Sequence, residues 1–356
     1  MNYKFSLILF AIILLFFAFK SDDISPRWST EKANSWYSVK EWLVGCNFTP
    51  STAINSIEFW SQESFDPETI DRELKWASDI GFNSIRVYLH YLVWARSPAG
   101  LKKRMEKFLD ITAKHDINVM FVLFDDCWNE NPNLGKQPDP IPGTHNSGWV
   151  QCPGGVKQLE DKALYPVLKA YTKDIIRHFA NDERVIAWDL YNEPGNFDKF
   201  NISRPLLEQV FNWGREVNPS QPLTVGVWNW DEGYTDLNKI ILNKSDVISF
   251  HHYNKKKDLF KWIDTLKQYD RPLFCTEYMA RTRHNTFATH LPIFKDQRIA
   301  AYNWGLVSGK TQTIFMWDST YTAEPATWFH DIFRKDGTPF NEDEIDLIKK
   351  ITDKKK

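Results

Sequence analysis

The 356-residue sequence carries almost no net charge: 44 Lys plus Arg stand against 46 Asp plus Glu, which leaves −2 at pH 7. Nucleic acid is therefore excluded as the main ligand, because holding a polyanion requires concentrated positive charge. Cysteine is scarce, with four residues in all. That is too few for a disulfide-built scaffold, and their spacing matches no zinc pattern. Low-complexity linkers, internal repeats and the shift of composition that marks a second domain are also missing. Beyond residue 20 no apolar run is long enough to cross a bilayer. What the sequence holds in quantity is aromatic: 16 Trp, 13 Tyr and 25 Phe. Aromatic side chains suit core packing and equally suit stacking under sugar rings, through flat apolar faces with polar rims.

At the N-terminus, Lys4 precedes an apolar run from Phe5 to Phe19, and Lys20 closes it. The run is shorter than the roughly 20 residues a spanning helix needs, and it sits where the core of an export signal sits. The expectation is a signal segment over 1–22, either cleaved or kept as an N-terminal membrane anchor, ahead of one domain over 23–356. The protein is then exported, to a periplasm, to the medium or to a membrane surface. Cys127 and Cys152 bracket one long loop, so in an oxidising compartment both a bridge and two free thiols are open readings. Cys46 and Cys275 fall in apolar strand-like runs and read as buried thiols.

The rest of the chain alternates. Short β-rich runs, Trp42 to Phe48, Ser84 to His90, Ile117 to Phe124, Val185 to Tyr191, Pro222 to Trp228, Asp246 to Tyr253, Pro272 to Tyr278 and Gln312 to Trp317, are separated by amphipathic stretches with helical spacing. Asp66 and Pro67 start one helix, Ile70, Leu74 and Ala77 form its inward stripe, and Gly81 ends it. Ser97 and Pro98 start the next, and Phe287 to Val307 and the tail from Asn341 complete the set. Eight strands alternating with helices in one register predict a single (β/α)8 barrel.

In such a barrel the chemistry lies where strands end and their following loops begin. Polar residues gather at those ends: Arg86; Asp125, Asp126 and Trp128; Asn192, Glu193 and Pro194; His251, His252 and Tyr253; Glu277; Trp317 and Asp318. Two carboxyl groups facing each other across a cleft are what cleavage of a glycosidic bond requires, one to protonate the leaving oxygen and one to attack or stabilise the anomeric carbon.

The motif WDLYNEP around Glu193 resembles the acid/base motif of clan A retaining glycoside hydrolases, and LFCTEY around Glu277 resembles their nucleophile motif. Within the clan the chain is most similar to glycoside hydrolase family five, the cellulase and mannanase family, over about Lys40 to Ile351. The resemblance implies that Glu193 is the acid/base and Glu277 the nucleophile. It implies that Arg86 hydrogen-bonds the nucleophile, that Asn192 holds the sugar 2-hydroxyl, that His251 and Tyr253 form the family's His-x-Tyr pair with Tyr253 against the nucleophile, and that Trp317 floors the −1 subsite.

The loop after the third strand, from Asp125 to Gly155, is long, rich in Pro, Gly and Asn, and without helical or strand periodicity. Loops of that kind are usually functional or disordered. It carries Trp128, His145, Asn146 and Trp149, which suit sugar recognition. The expectation is that it folds over the rim and forms one wall of the cleft. Asp125 and Asp126 are read as sugar-hydroxyl ligands and not as metal ligands, since no third ligand recurs at metal spacing. Trp60, Trp228 and Trp230 are candidates for stacking platforms or for packing. The function expected is hydrolysis of β-linked carbohydrate by double displacement, with no cofactor, no metal, no nucleic acid and no protein partner. A glycan-remodelling transglycosylase and a non-catalytic sugar-binding barrel are the alternatives.

Overall fold

A computed structural model describes residues 25–353 of the protein. Eight parallel strands run in sequence order: Val44–Asn47 (β1), Ser84–Tyr88 (β2), Asn118–Val122 (β3), Val185–Asp189 (β4), the two pieces Leu223–Thr224 and Gly226–Val227 (β5), Ile248–His251 (β6), Leu273–Tyr278 (β7) and Ala300–Trp304 (β8). β1 lies between β2 and β8, with Cys46 beside Ile85 on one side and Asn303 on the other. The first piece of β5 pairs with β4 and the second with β6, so β5 closes the ring. The strands are buried on both faces, as helices packed outside a parallel sheet require. The result is the (β/α)8 barrel expected from the alternation.

The outer helices are Pro67–Asp79 (α1), Pro98–Lys114 (α2), Tyr165–His178 (α3), Arg204–Val217 (α4), Thr235–Lys244 (α5), Lys256–Lys267 (α6), Phe287–Asp296 (α7) and Glu342–Ile351 (α8). Their ends follow local chemistry. The Asp66 carboxylate accepts from the Thr69 N–H, Pro67 occupies the first turn where its missing donor costs nothing, and Gly81 takes the left-handed conformation (φ 85) just beyond the helix. Ser97 caps α2 through the Gly100 N–H, and Asn341 caps α8.

One strand stands elsewhere than the sequence pattern suggests. The helix expected over Phe287 to Val307 ends at Asp296, and β8 is Ala300–Trp304, not Gln312 to Trp317. A short apolar run such as IAAYNW reads equally as buried strand and as helix, since its burial on both faces removes the period. The run at 312–317 is apolar for another reason: Ile314 and Phe315 pack with Trp328 in a small separate cluster, inside the long loop that follows β8.

A further helix, Thr30–Ser38, lies across the opposite end of the barrel, where Tyr37 packs on Phe274 (5.2 Å between ring centroids) near the strand starts at Leu43, Val247 and Ala300. That end is filled, which leaves the C-terminal rim to carry a site. The segment 1–22 lies outside the described residues. Among the described residues no helix is long and apolar enough to cross a membrane.

Candidate active site

Arg86 lies in β2 with its guanidinium inside the barrel, fully buried, and organises the base of the site. It donates to Asp189 Oδ2 (2.9 Å), Asn47 Oδ1, Asn192 Oδ1 and Glu277 Oε1 (2.8 Å each), and to the Tyr88 hydroxyl (2.7 Å). A cation out of water is tolerable only with such partners, and removing one would leave buried charge unpaired. The Tyr88 and Tyr253 hydroxyls donate to Glu277 Oε1 and Oε2, both at 2.9 Å. Glu277 thus accepts from one cation and two hydroxyls.

Glu193 faces it from the turn after β4. Its backbone lies in the left-handed region (φ 44), with Gly195 at φ 87 behind it, and strain of this kind persists where surrounding contacts hold it. Its carboxyl contacts His251 Nδ1 (2.7 Å), the Asn196 amide (2.6 Å) and the Cys127 thiol (3.2 Å). Burial pushes both carboxyl groups above the usual range, and the two differ in what opposes that push. At Glu277 the opposition comes from His251, Arg86 and the hydroxyl donors, against an added push from the facing Glu193; at Glu193 it comes from the Cys127 thiol, the Asn196 amide and, last, Arg86. The environments therefore favour a proton on Glu193 over one on Glu277. Burial lowers His251 to about 4, so its imidazole is neutral near pH 7.

Above these groups opens a cavity of about 420 Å³, lined from the loops after β3 to β8. Of the residues singled out from sequence, Asp125, Trp128, Asn146, Trp149, Asn192, Glu193, His251, Tyr253, Glu277 and Trp317 line it. Arg86 acts from beneath. Asp126 does not belong to the cavity: it is fully buried, accepts from the Tyr191 hydroxyl, the Gly195 N–H and the Ser203 hydroxyl, and so pins the turn that carries Glu193. That corrects its reading as a sugar ligand. Asp125 touches the cavity, yet its oxygens are engaged by Trp149 Nε1 (2.7 Å), Asn192 Nδ2 (2.9 Å) and the Cys127 N–H (3.0 Å). Trp149, expected in a wall folded over the rim, lies deeper, 2% exposed and edge-on to Tyr88 and Trp304.

Trp60 is core, stacked on Phe59 (4.4 Å). Trp228 lines the cavity, and exposed Trp230 sits edge-on against Trp262, another lining residue. Because β8 ends at Trp304, the strand-end tryptophan is Trp304; Trp317 lines the cavity from the following loop, edge-on to Tyr253 (5.0 Å). All four cysteines are free. Sequence reasoning passed over Tyr88 and Asn196, and it read Cys127 as one end of a loop bridge or a free thiol and not as a neighbour of Glu193. Tyr88 lies two residues after Arg86 on the same face of β2, so strand alternation was the available signal for it, whereas Cys127 lies in the loop beyond β3, where no period applies.

Among the described residues, Glu193, His251 and Glu277 form the group with metal-ligand spacing, one ligand atom of each lying within 4.8 Å of the others. Their mutual contacts are also those of a proton-sharing set.

The family model described as Cellulase (glycosyl hydrolase family 5) matches residues 44–322. No curated protein matches in sequence. Among solved structures, the endo-β-1,4-mannanase from Thermotoga petrophila aligns with TM-score 0.59 at 15% identity, covering 89% of this chain and 77% of that one. The endo-1,4-β-mannanase from Rhizomucor miehei aligns with TM-score 0.55 at 12% identity, over 84% and 92%. An exo-β-1,4-mannosidase from Opitutaceae bacterium strain TAV5 aligns with TM-score 0.60 at 12% identity, over 87% and 60%. At these identities the structural likeness is one of fold.

Proposed function

The chain belongs to glycosyl hydrolase family 5, and from that membership and its paired carboxyl groups we propose that it is a retaining β-glycosidase, with Glu193 as acid/base and Glu277 as nucleophile. The observation that carries the mechanism is the approach of the two carboxylates, whose facing oxygens lie within 4.8 Å. Retaining enzymes place the carboxyl groups about 5 to 5.5 Å apart, whereas inverting ones need roughly 6.5 to 9.5 Å to admit a water between them.

In the first step Glu277 Oε attacks the anomeric carbon while Glu193 transfers its proton to the departing glycosidic oxygen, so a glycosyl ester forms and an alcohol leaves. In the second, Glu193, now a carboxylate, takes a proton from water as the water oxygen displaces Glu277, and the sugar leaves with its original configuration. Arg86, Tyr88 and Tyr253 hold the nucleophile ionised and oriented, and neutral His251 orients Glu193. Asn192, at the cavity wall and fixed by Arg86 and Asp125, takes the 2-hydroxyl. The apolar run after Lys4 supports export. Proteins of similar fold include two endo-β-1,4-mannanases and an exo-β-1,4-mannosidase, and the family model is described as Cellulase, which makes β-mannosides and β-glucosides the first substrates to try.

Proton NMR of the first product should show the retained anomer. Glu277→Gly should lose turnover and regain part of it with azide, yielding a glycosyl azide of inverted configuration, while Glu193→Ala should still cleave substrates with activated leaving groups, which need no proton. An inverted product, or two variants that behave alike on a nitrophenyl glycoside, would overturn these roles.

A further inference from the structure

The cavity receives no lining residue from the loops after β1 and β2. The loop after β3 has been laid across the tops of those strands and fastened on two flanks. On one flank it is tied to the loop after β8: the Asn146 N–H donates to Thr311 O (2.8 Å), the Tyr321 N–H to Gly143 O (2.9 Å), the Gly143 N–H to Gln312 Oε1 (3.0 Å), and Gln312 Nε2 to Ile141 O and Thr144 O. Gly143 has positive φ (73°), and a Cβ there would lie 1.7 Å from Tyr321 O, so the two backbones meet directly. On the other flank, Asn55 Nδ2 donates to Gly148 O (2.8 Å), and Gly148 rests against the Ile54 side chain. The tip of the loop, His145, is buried, with its Nδ1 on Phe315 O (2.8 Å) and its ring stacked on Trp128 (5.3 Å). Burial lowers it to about 4, so it stays neutral across the working range.

The other side of the cavity is built differently. Beyond Glu193 stand Phe197, 48% exposed, then Trp228 and Trp262, with Trp230, 39% exposed, behind them. In an eight-stranded ring β1 and β2 lie opposite β5 and β6, so the cavity is sealed at one end and bordered by aromatic faces at the other. The leaving group must sit on the side of the group that protonates it, which places the aglycone over Phe197 and Trp228 and the glycone against the seal. At the sealed end, Asn146 Oδ1, buried among the lining residues, has no partner among the described residues. A buried acceptor without a partner is costly, and a terminal sugar hydroxyl would satisfy it.

Resting on the assignment of Glu193 and Glu277 above, we infer that the enzyme is exo-acting: it removes the single terminal sugar from the non-reducing end of a β-linked oligosaccharide or glycoside, with Asn146 accepting a hydroxyl that is free only on a terminal residue. In an internal residue the next sugar would occupy the volume filled by the clasped loops.

The test uses the full-length protein, a panel of nitrophenyl β-glycosides, and reducing-end-labelled β-1,4-linked manno- and gluco-pentaoses. The expected result is turnover of one monosaccharide glycoside and, at early times, monosaccharide plus a labelled tetraose, with no drop in the viscosity of the matching polymer. Asn146→Ala, at an unchanged melting temperature, should lower kcat/KM about tenfold on the nitrophenyl glycoside and the pentaose alike, since both present the same terminal hydroxyl. Labelled di- and triose as first products, or rapid viscosity loss, would overturn exo action while leaving the glycosidase assignment standing. An Asn146→Ala variant with unchanged kcat/KM would remove Asn146 from the terminal contact. No cleavage of any β-glycoside would instead overturn the assignment on which the inference rests.

Discussion

Cys127 isolates one contribution to the tuning of Glu193. Its thiol lies 3.2 Å from Glu193 Oε2 and accepts in turn from the amides of Asn192 and Asn196 (3.4 Å each). Burial and the neighbouring Glu193 raise the thiol well above its ordinary value, so it remains protonated and able to donate. A donor to the carboxylate favours the ionised form of Glu193; removing it makes the proton harder to lose. Cys127→Ala should therefore move the alkaline limb of the kcat/KM profile, which reports the acid/base, upward by about 0.7 of a pH unit, the equivalent of a neutral hydrogen bond of about 1 kcal/mol. The acid limb, which reports Glu277, should stay in place, and Cys127→Ser, which keeps a donor, should fall between. A profile that drops in height without moving its alkaline limb would show that the thiol only fills space.

At the scale of elements, the loop after β3 is the part whose conformation owes least to local sequence. Its ends are pinned by the reciprocal backbone bonds of Asp125 and Cys152 (2.8 and 2.9 Å), and its middle by residues more than 160 positions away, such as Gln312. No disulfide is needed for this. The Cys127 sulfur points to Glu193, while the Cys152 sulfur is directed at Leu123 O (3.4 Å). Thiol titration under denaturing conditions should accordingly count four thiols even in protein isolated from an oxidising compartment, and a count of two would restore the bridge. Trp149 shows why the loop was only half legible. Its indole N–H needs a buried acceptor, and Asp125 supplies one, so the residue turns inward although its surroundings in sequence are those of an exposed loop.

For the molecule as a whole, two carboxyl groups far from the chemistry contribute to the pH dependence of stability, in the direction opposite to buried imidazoles such as His145 and His251. Asp331 accepts from the Thr313 hydroxyl on both oxygens (2.8 and 2.9 Å) close against Gly305, and burial raises it to about 7; Glu73, under Ser51, is raised by burial to about 7 as well. Both bind a proton more tightly folded than unfolded. Their stabilising contribution is present in full below about pH 4, and it is lost as pH rises through about 7. The two carboxyl groups thereby give the melting temperature a downward slope from pH 5 to pH 8, superposed on the upward slope that the buried neutral imidazoles impose below about pH 6.5. Asp331→Asn, which stays neutral, should flatten part of that slope; curves for variant and parent that run parallel would show that Asp331 does not carry it.

The sequence alone determined the barrel, because strand and helix periods alternate, with seven of the eight strands where the pattern put them, and the helix starts at Asp66 and Ser97 are written in local capping chemistry. It also marked Glu193, Glu277, Arg86, His251 and Tyr253, since polar residues at the ends of otherwise apolar strands have few reasons to be there. Tertiary structure decided what periodicity does not encode. It chose between 300–304 and 312–317 for β8, where both runs are apolar and only burial on both faces separates strand from loop. It removed Asp126 from the cavity by giving its carboxylate three buried donors. And it brought residues 141–146 against 311–321, a long-range approach whose cost in chain entropy is recovered only in the folded barrel, so that one end of the cleft is closed.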